Sequence, residues 1–281
     1  MQTLTIGIIG LGLIGGSFAK AIKRNTLHIV AGFDVAGDVM AQALAEGAID
    51  MQLDDAALAQ CDLLFAALYP QASIEAVKQR IPHLKKGCVV ADLCGVKRVV
   101  CDALDTPCRD AGAVFIGAHP MAGREFSGFA HSQPTLFDGA SLILTPTQPD
   151  DPSQARAVML LKALARETGF GQTVVTTPDH HDRMIAFTSQ LAHVLSNAYV
   201  KSPPAKEHAG FSAGSFKDLT RVAKLNETMW TELFLDNTDH LTSEITLLIN
   251  NLAAYRTALQ ARNGDTLKAL LREGRIIKES L

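Results

Sequence analysis

The feature that most constrains this chain is a glycine-rich turn between a strand pattern and a helix pattern near its start. A β-branched run covers residues 5–9, and Gly10, Gly12 and Gly15 follow it with G-x-G-x-x-G spacing. Apolar residues at helical spacing begin directly afterwards, from residue 18 onward. Such glycines permit a tight turn, close approach of the backbone to a pyrophosphate and close packing of the helix on the strand. The segment therefore predicts the opening unit of a dinucleotide-binding domain.

The second strand pattern indicates which nucleotide is bound. It runs from His28 to Asp34 and ends in an acid at about the distance that the dinucleotide fingerprint requires. A carboxylate at this place accepts hydrogen bonds from both ribose hydroxyls and repels a 2′-phosphate. The sequence therefore favours NAD over NADP as the cofactor.

Strand and helix patterns continue to alternate up to about residue 176. This alternation predicts a Rossmann-type α/β domain over residues 1–176, with a doubly wound parallel sheet whose ligands lie beyond the carboxyl ends of the strands. Further strands are predicted within 61–70, 87–97, 113–120 and 141–146, with helices between them such as 72–81 and 98–111. The predicted cofactor-binding residues are Gly10, Gly12, Leu13, Ile14, Gly15, Asp34, Leu68, Tyr69 and Cys94.

From residue 177 the pattern becomes helical and predicts an all-α domain over residues 177–281. The first long helix is predicted over 177–202, and its apolar stripe consists of Met184, Phe187, Leu191, Val194 and Leu195. Further helices follow, including one over 265–277. Long apolar helical faces with little else to cover them predict a homodimer formed through this domain.

Composition excludes several classes of function. The 281 residues carry a formal net charge of -3, which favours neither nucleic acid nor an anionic membrane as a partner. The chain has no basic leader and no apolar stretch long enough to span a bilayer, so a cytoplasmic protein is expected. None of the five cysteines forms a C-x-x-C pair, and they are interpreted as reduced core thiols. Adjacent His180 and His181 make a poor chelate, so a solvated helix start is expected there and no metal site.

Four segments carry polar groups that purely structural segments would not need. They are "DLCGVK" (92–97), "GAHPMAGREFSGF" (117–129), "SQLAHVLSNAY" (189–199) and "FKDLTRVAKLNETMW" (216–230). In combination these motifs resemble the prephenate and arogenate dehydrogenases of tyrosine biosynthesis, and the resemblance runs from the glycine turn to Trp230. It implies NAD-dependent oxidative decarboxylation of a cyclohexadiene, in which the C4 hydroxyl becomes a carbonyl and CO₂ leaves as the ring becomes aromatic.

The resemblance assigns roles to three residues. His119 is implied to be the general base that takes the proton of the C4 hydroxyl. Pro120 restricts His119 to extended backbone conformations, so the base is expected to be held at the end of a strand. Arg221 is implied to bind the side-chain carboxylate through its planar fork. His193 matches the family's second active-site histidine and is expected to contact the substrate.

Other positions near the predicted site are less clearly assigned. Glu125 and Asp218 are expected to form an ionic network with Arg221. Lys97 either supplies positive potential near the substrate or only pairs with Asp92, and Trp230 either packs on the substrate or fills the helical core. Gly95 stands where the family commonly has a serine that touches the substrate hydroxyl or the nicotinamide amide. Either a water or the Cys94 thiol is expected to replace that hydroxyl, or the site is tuned differently. The predicted substrate-binding residues are Arg221, His193, Glu125, Asp218, Gly95, Lys97 and Trp230.

Several functional alternatives remain open from the sequence. Prephenate is the favoured substrate, but arogenate, or both compounds, are alternatives because no acid that would bind the ammonium of arogenate can be located. A non-catalytic NAD-responsive protein would be expected to lack His119 or Arg221, and both are present. A β-hydroxyacid dehydrogenase would normally use a lysine on the first long helix, where this chain has His193 and no lysine before Lys201.

Overall fold

The computed structural model describes residues 3–281, and its front half is built on one eight-stranded sheet. The strands lie in the order β3-β2-β1-β4-β5-β6-β7-β8. Their bounds are β1 Thr5–Ile9, β2 Ile29–Phe33, β3 Met51–Gln52, β4 Leu63–Ala66, β5 Val89–Asp92, β6 Val114–Pro120, β7 Ser141–Thr145 and β8 Gln172–Val175. The Rossmann-type α/β class predicted for the front half is confirmed.

Helices connect these strands and then form the back half of the chain. Those of the front half are α1 Leu13–Asn25, α2 Gly37–Ala45, α3 Asp55–Leu58, α4 Pro70–Arg80, α5 Arg98–Asp110 and α6 Pro152–Glu167. Those of the back half are α7 Pro178–Ile185, α8 Leu191–Tyr199, α9 Gly214–Thr220, α10 Glu227–Leu235, α11 Thr238–Gln260 and α12 Gly264–Ser280. No helix of residues 3–281 is long and apolar enough to cross a membrane.

The prediction of a wholly parallel sheet is wrong at one edge. Strands β1 to β6 run parallel to one another, but β7 pairs antiparallel with β6, and β8 then runs parallel to β7. The connection 121–140 has only a short 3₁₀ turn and no crossover helix. Because the chain therefore does not return to the opposite edge of the sheet, the next strand must run in the reverse direction.

Apolar side chains form a core on each face of the sheet. One core contains an aromatic cluster in which the ring centroids of Phe18 and Phe65 lie 4.8 Å apart, and those of Phe137 and Phe170 lie 5.0 Å apart. The other core contains all five cysteines, which are buried and free. The predicted location of the cysteines in the core is confirmed, and burial raises the pKa of each thiol.

The first long helix of the back half is interrupted where the sequence predicts continuity. A π-helical turn, Ala186–Gln190, separates α7 from α8. The buried face of α7 and this turn consists of His181, Asp182, Ile185, Ala186 and Gln190. Met184 and Phe187 of the predicted apolar stripe are instead 43% and 59% exposed. Met184 and Phe187 therefore lie off the buried face, whereas Leu191 of the predicted stripe is buried. The buried face also includes three polar residues, His181, Asp182 and Gln190.

Candidate active site

The glycine turn has the form that a bound pyrophosphate requires. Gly10 has a φ of 86°, and a Cβ at Gly15 would lie 1.9 Å from the Gly10 carbonyl oxygen, so both positions exclude side chains. Apart from Gly12 and the residues adjoining it in the chain, no part of residues 3–281 lies within 4 Å of a Cβ built at Gly12, so the backbone there faces open space. No side chain in this part of the chain caps the start of α1, where half-buried Leu13 and Ile14 lie, and its first N–H groups are available to an anion.

Asp34 is attached to this turn by hydrogen bonds. One oxygen of its carboxylate accepts the Leu11 N–H at 2.8 Å, and the other accepts the Ala36 N–H at 3.0 Å. The carboxylate is half-buried at the end of β2, beside the turn, where a ribose would lie. The turn, the free helix start and the acid together fit a dinucleotide.

The predicted cofactor-binding residues that follow β4 and β5 differ in their exposure. Leu68 packs against Gly10, and Tyr69 is exposed at the start of α4. The Cys94 thiol is buried, where it donates to the Leu68 carbonyl at 3.4 Å or to the Ser73 hydroxyl at 3.3 Å. The thiol therefore does not replace a hydroxyl at Gly95, contrary to one expectation, and only the backbone of Cys94 remains a candidate cofactor contact.

His119 lies in β6 at the carboxyl edge of the sheet, as the His-Pro dipeptide predicts, and its ring contacts a second histidine. His119 Nδ1 and His181 Nε2 lie 2.9 Å apart, and His181 Nδ1 lies 2.7 Å from Asp182 Oδ1. His119 is half-buried, whereas His181 and Asp182 are buried. The expectation of a solvated helix start is therefore wrong for these two residues, although it holds for exposed His180.

The protonation states of this chain of groups follow from its surroundings. Burial lowers the pKa of His119 well below its ordinary value, with smaller contributions from His181 and Lys97, so the imidazole is neutral at pH 7. Burial also lowers the pKa of His181 in spite of the neighbouring carboxylate. For Asp182, burial raises the pKa, but hydrogen bonds from His181 and from the N–H groups of Arg98 and Lys97 outweigh it and keep the carboxyl ionised.

Lys97 lies beneath the site and is not exposed in it. Its side chain is fully buried, and Nζ donates to the Asp92 carboxylate and, at 2.8 Å, to the Ala118 carbonyl. Burial lowers the pKa of Lys97, but Asp92 and the neighbouring thiols outweigh it, so the ammonium stays charged. The prediction of Lys97 as a substrate-binding residue is therefore wrong, because its fully buried ammonium is bonded to Asp92 and to the Ala118 carbonyl inside the protein. Its charge still acts on the neighbouring His119 imidazole.

Arg221 follows α9 directly and lies near the loop that follows His119. Its Nη1 is 3.9 Å from Glu125 Oε1, and both side chains are exposed. Asp218 is also exposed, and within residues 3–281 it makes no ion pair with Arg221 at 4 Å or less. The structure therefore brings together two members of the predicted ionic network and leaves the third outside it.

His193 and Trp230 form a second polar-aromatic surface on the helical half. Their ring centroids lie 4.0 Å apart, and His193 Nδ1 donates to the Ser189 carbonyl at 2.8 Å. Burial, and to a lesser extent the charge of Arg221, lowers the pKa of His193. Gly95 faces the same helix as Trp230, since a Cβ at Gly95 would lie 3.4 Å from Leu233 Cδ2. Trp230 therefore packs on a candidate site residue and is not enclosed in a core.

His181 and Asp182 are the polar site residues that the sequence interpretation missed. The spacing of apolar residues along the helix could have identified both of them. Ile185 and Ala186 lie four residues after them, and this apolar pair continues the same face of the helix. A search for polar residues on that face would have placed both groups against the sheet.

The family to which the chain belongs follows from comparison with known proteins. The family profile described as prephenate dehydrogenase, nucleotide-binding domain, matches residues 18–184, and the profile described as prephenate dehydrogenase, dimerization domain, matches residues 177–273. A prephenate dehydrogenase of Bacillus subtilis is 30% identical over 94% of this chain and 72% of its own length. A cyclohexadienyl dehydrogenase of Zymomonas mobilis is 31% identical over 93% of this chain and 90% of its own length.

Solved structures agree with these sequence matches. Prephenate dehydrogenase of Aquifex aeolicus, in complex with hydroxyphenyl propionate and NAD+, superposes with a TM-score of 0.86 at 26% identity, covering 100% of this chain and 99% of that one. Arogenate dehydrogenase of Synechocystis superposes with a TM-score of 0.83 at 25% identity, covering 98% of this chain and 99% of that one. The sequence matches, the shared fold and the nucleotide-binding turn together show that the chain belongs to the prephenate and arogenate dehydrogenase family of oxidoreductases.

Proposed function

We propose that this protein catalyses the NAD-dependent oxidative decarboxylation of prephenate to 4-hydroxyphenylpyruvate and CO₂ in tyrosine biosynthesis. The observation that most supports the proposal is the environment of His119. Its imidazole is neutral, half-buried and fixed by a strand on one side and by His181 on the other. A neutral imidazole in a fixed position is what removal of a proton from a hydroxyl requires.

The cofactor of the reaction is NAD. Gly10, Gly12, Gly15 and the start of α1 would hold its pyrophosphate, and Asp34 would accept hydrogen bonds from its ribose hydroxyls. When bound, NAD supplies the acceptor for the hydride that leaves C4 of the substrate. The negative charge of Asp34 disfavours the 2′-phosphate of NADP, so we expect NAD to be preferred.

The protein's own groups complete the reaction. His119 accepts the proton of the C4 hydroxyl as hydride leaves the same carbon, so that the hydroxyl becomes a carbonyl. The bond from C1 to the ring carboxylate then breaks, its electrons enter the ring, and CO₂ leaves as the ring becomes aromatic. Arg221 binds the side-chain carboxylate, and His193 and Trp230 contact the ring or the side chain. Glu125 sets the position of Arg221 through their ion pair.

Arogenate is the second candidate substrate, and one contact favours it. Glu125 lies 3.9 Å from Arg221, so a carboxylate is present beside the group that would bind the substrate's side chain. The ammonium of arogenate would be attracted to that carboxylate, whereas the keto group of prephenate would not. Relatives of both kinds resemble this chain, since one is a prephenate dehydrogenase and another an arogenate dehydrogenase.

The decisive experiment measures NADH or NADPH formation with prephenate and arogenate side by side, using NAD and NADP in turn. We expect the highest kcat/KM with prephenate and NAD. A higher kcat/KM with arogenate would establish the second candidate. No turnover with either substrate would contradict the proposed function.

Replacement of His119 tests its assignment as the base. We expect His119→Asn to lower kcat by about 10²- to 10⁴-fold with a smaller change in KM, which is the usual loss when a general base is removed. Because the pKa of His119 is lowered, the wild-type activity should persist below pH 6.5 and disappear as the pH falls through that lowered pKa. A normal kcat for His119→Asn would place the base elsewhere.

We further propose the organisation in which this site operates. Residues 1–176 form the NAD-binding domain, and residues 177–281 form a domain that binds substrate and joins two copies of the chain. Exposed apolar side chains along α11 and α12 support the homodimer, since water disfavours a surface of this kind. The dimerization-domain profile that matches residues 177–273 agrees with this organisation.

A further inference from the structure

We propose that His181 and Asp182 are positioning residues that fix the tautomer of His119, so that the lone pair of Nε2 faces the substrate. This inference rests on the proposed function of His119 as a base, and it concerns two residues that have no role in the reaction as described above. It follows from the order in which three groups can donate and accept hydrogen bonds.

Asp182 is the fixed end of this hydrogen-bonded chain. Its Oδ1 accepts the Lys97 N–H at 2.7 Å, and its Oδ2 accepts the Arg98 N–H at 2.9 Å. Arg98 Nε also lies 3.4 Å from Oδ2. A carboxylate bound by this many donors stays ionised and can only accept hydrogen bonds. The 2.7 Å contact with His181 Nδ1 therefore requires that nitrogen to carry a proton.

The proton on Nδ1 determines what the other nitrogen of His181 can do. His181 is buried and neutral, and a neutral imidazole carries only one N–H. Its Nε2 therefore has a lone pair and accepts a hydrogen bond. The group 2.9 Å away is His119 Nδ1, which must supply the proton of that bond.

The consequence for His119 is a single tautomer. With its one proton on Nδ1, neutral His119 has a free lone pair on Nε2, the atom that points away from His181 and is able to remove a proton. When Nε2 accepts the hydroxyl proton, the resulting imidazolium keeps its Nδ1–H bond to His181. The reverse tautomer, with a proton on Nε2, would have no lone pair for the substrate.

The surrounding charges are consistent with this arrangement. The charged groups that act on the two imidazoles are Lys97 before α5, Asp92 at the end of β5 and Asp182 on α7. Arg98 at the start of α5 contacts Asp182. Lys97 and Asp92 are paired with each other, and Arg98 also pairs with Asp239. Asp182 is therefore the carboxylate that bonds directly to a histidine ring in this group.

Two substitutions at His181 separate the hydrogen bond from the volume of the side chain. His181→Gln keeps an oxygen that can accept from His119 Nδ1, whereas His181→Leu has no acceptor. We expect His181→Leu to lower kcat by about 10- to 100-fold with KM within about 3-fold, and His181→Gln to stay within about 5-fold of wild type. The rates are compared on the plateau above pH 8, where both imidazoles are neutral and a shifted pKa has no effect. His180→Gln, at the exposed neighbouring position, is the matched control and should be unchanged.

The tautomer itself is measured without substrate or cofactor. Two-bond ¹H–¹⁵N correlation spectra of ¹⁵N-histidine-labelled protein at pH 8 report which ring nitrogen carries the proton. The His119 signals are identified by their loss in His119→Asn. We expect Nδ1–H for His119 in the wild type and in His181→Gln, and a shift toward Nε2–H in His181→Leu.

Two results would overturn the proposal. One is an Nε2–H tautomer for His119 in the wild type, and the other is the same kcat for His181→Leu and His181→Gln. If His181→Leu fails to fold, the wild-type spectrum decides alone. Because the spectra need no turnover, they still report the tautomer if the protein oxidises neither prephenate nor arogenate.

Discussion

At the scale of single residues, the candidate site combines a braced imidazole, which is the proposed base, with exposed charged side chains. His119 is held by a β-strand and a buried histidine, whereas the side chains of Arg221 and Glu125 are exposed. Exposed ion pairs contribute little free energy, so the Arg221–Glu125 contact can break readily when a substrate carboxylate competes for the guanidinium. In the proposed reaction, the base would thus be fixed before substrate binds, and the Arg221 side chain would be free to turn toward the substrate carboxylate.

Arg221→Ala tests the binding role of the guanidinium. We expect KM to rise by about 10- to 100-fold, because hydrogen bonds to a charged group contribute about 1.5–3 kcal/mol, while kcat changes less. Steady-state kinetics measure both parameters. Lys217→Ala removes an exposed cation from α9, the helix that Arg221 follows, and serves as the control. An equal change of KM in both variants would show that only the net charge matters.

Gly95→Ser tests whether the site has room for the hydroxyl that the family commonly carries there. A Cβ at Gly95 would lie 3.4 Å from Leu233 Cδ2, which is an ordinary contact, so we expect Tm within about 2 °C of wild type. At Gly117 a Cβ would lie 2.2 Å from Thr145 Oγ1. Gly117→Ser is therefore the contrasting variant and should lower Tm by at least about 4 °C in the same thermal unfolding experiment. A large loss of Tm for Gly95→Ser would contradict this account.

At the scale of elements, α7 and the π-helical turn join the two halves of the molecule. Asn237, which precedes α11, is buried, and its Nδ2 donates to the Asp182 carbonyl and to Gln190 Oε1, both at 2.8 Å. Its Oδ1 accepts from Arg98 Nη2 at 3.1 Å. One amide therefore connects α5, α7 and the π-helical turn, and it lies directly behind the His181–Asp182 pair.

Asn237→Ala tests the stabilising effect of this amide. Because it leaves buried polar groups without partners, we expect the free energy of unfolding to fall by about 1–3 kcal/mol for each group left unsatisfied. Denaturant unfolding measures the change. Asn25→Ala, at an exposed position at the end of α1, should stay within about 0.5 kcal/mol of wild type. An unchanged free energy of unfolding for Asn237→Ala would contradict this expectation and show that water takes the place of the amide.

The same elements show what the sequence can and cannot predict. The sequence correctly predicts the positions of β1, the glycine turn, α1 and the acid after β2. These features depend on turn chemistry and periodicity, which are set by neighbouring residues. His181 is misread because its environment depends on His119, 62 positions earlier in the chain. The reversal of β7 was also missed, since an apolar strand pattern has no direction. Patterns within a segment predict elements, whereas pairing and burial depend on tertiary contacts.

At the scale of the whole molecule, the exposed apolar residues of the last two helices predict how two copies associate. Leu252 and Leu259 on α11 and Leu271 on α12 are more than half exposed in the single chain. We expect Leu252→Asp to raise the dimer dissociation constant by about 10-fold or more, since a buried charge without a partner opposes association. Sedimentation velocity over a concentration series measures this constant. Met159→Asp, at an exposed apolar position on α6, is the control, and an equal effect there would contradict the proposed interface.

The antiparallel strand β7 affects which parts of the candidate site can change by mutation without moving His119. Strand β5 ends at Asp92, opposite Gly117, so the last three residues of β6 have only β7 as a partner, with His119 opposite Ile143. A doubly wound sheet without this return would leave the histidine in a loop. Here the connection 121–140 follows Pro120, and β7 then pairs with the end of β6 and holds His119 in the sheet. Mutations can therefore change that connection while β7 keeps the His119 imidazole in place.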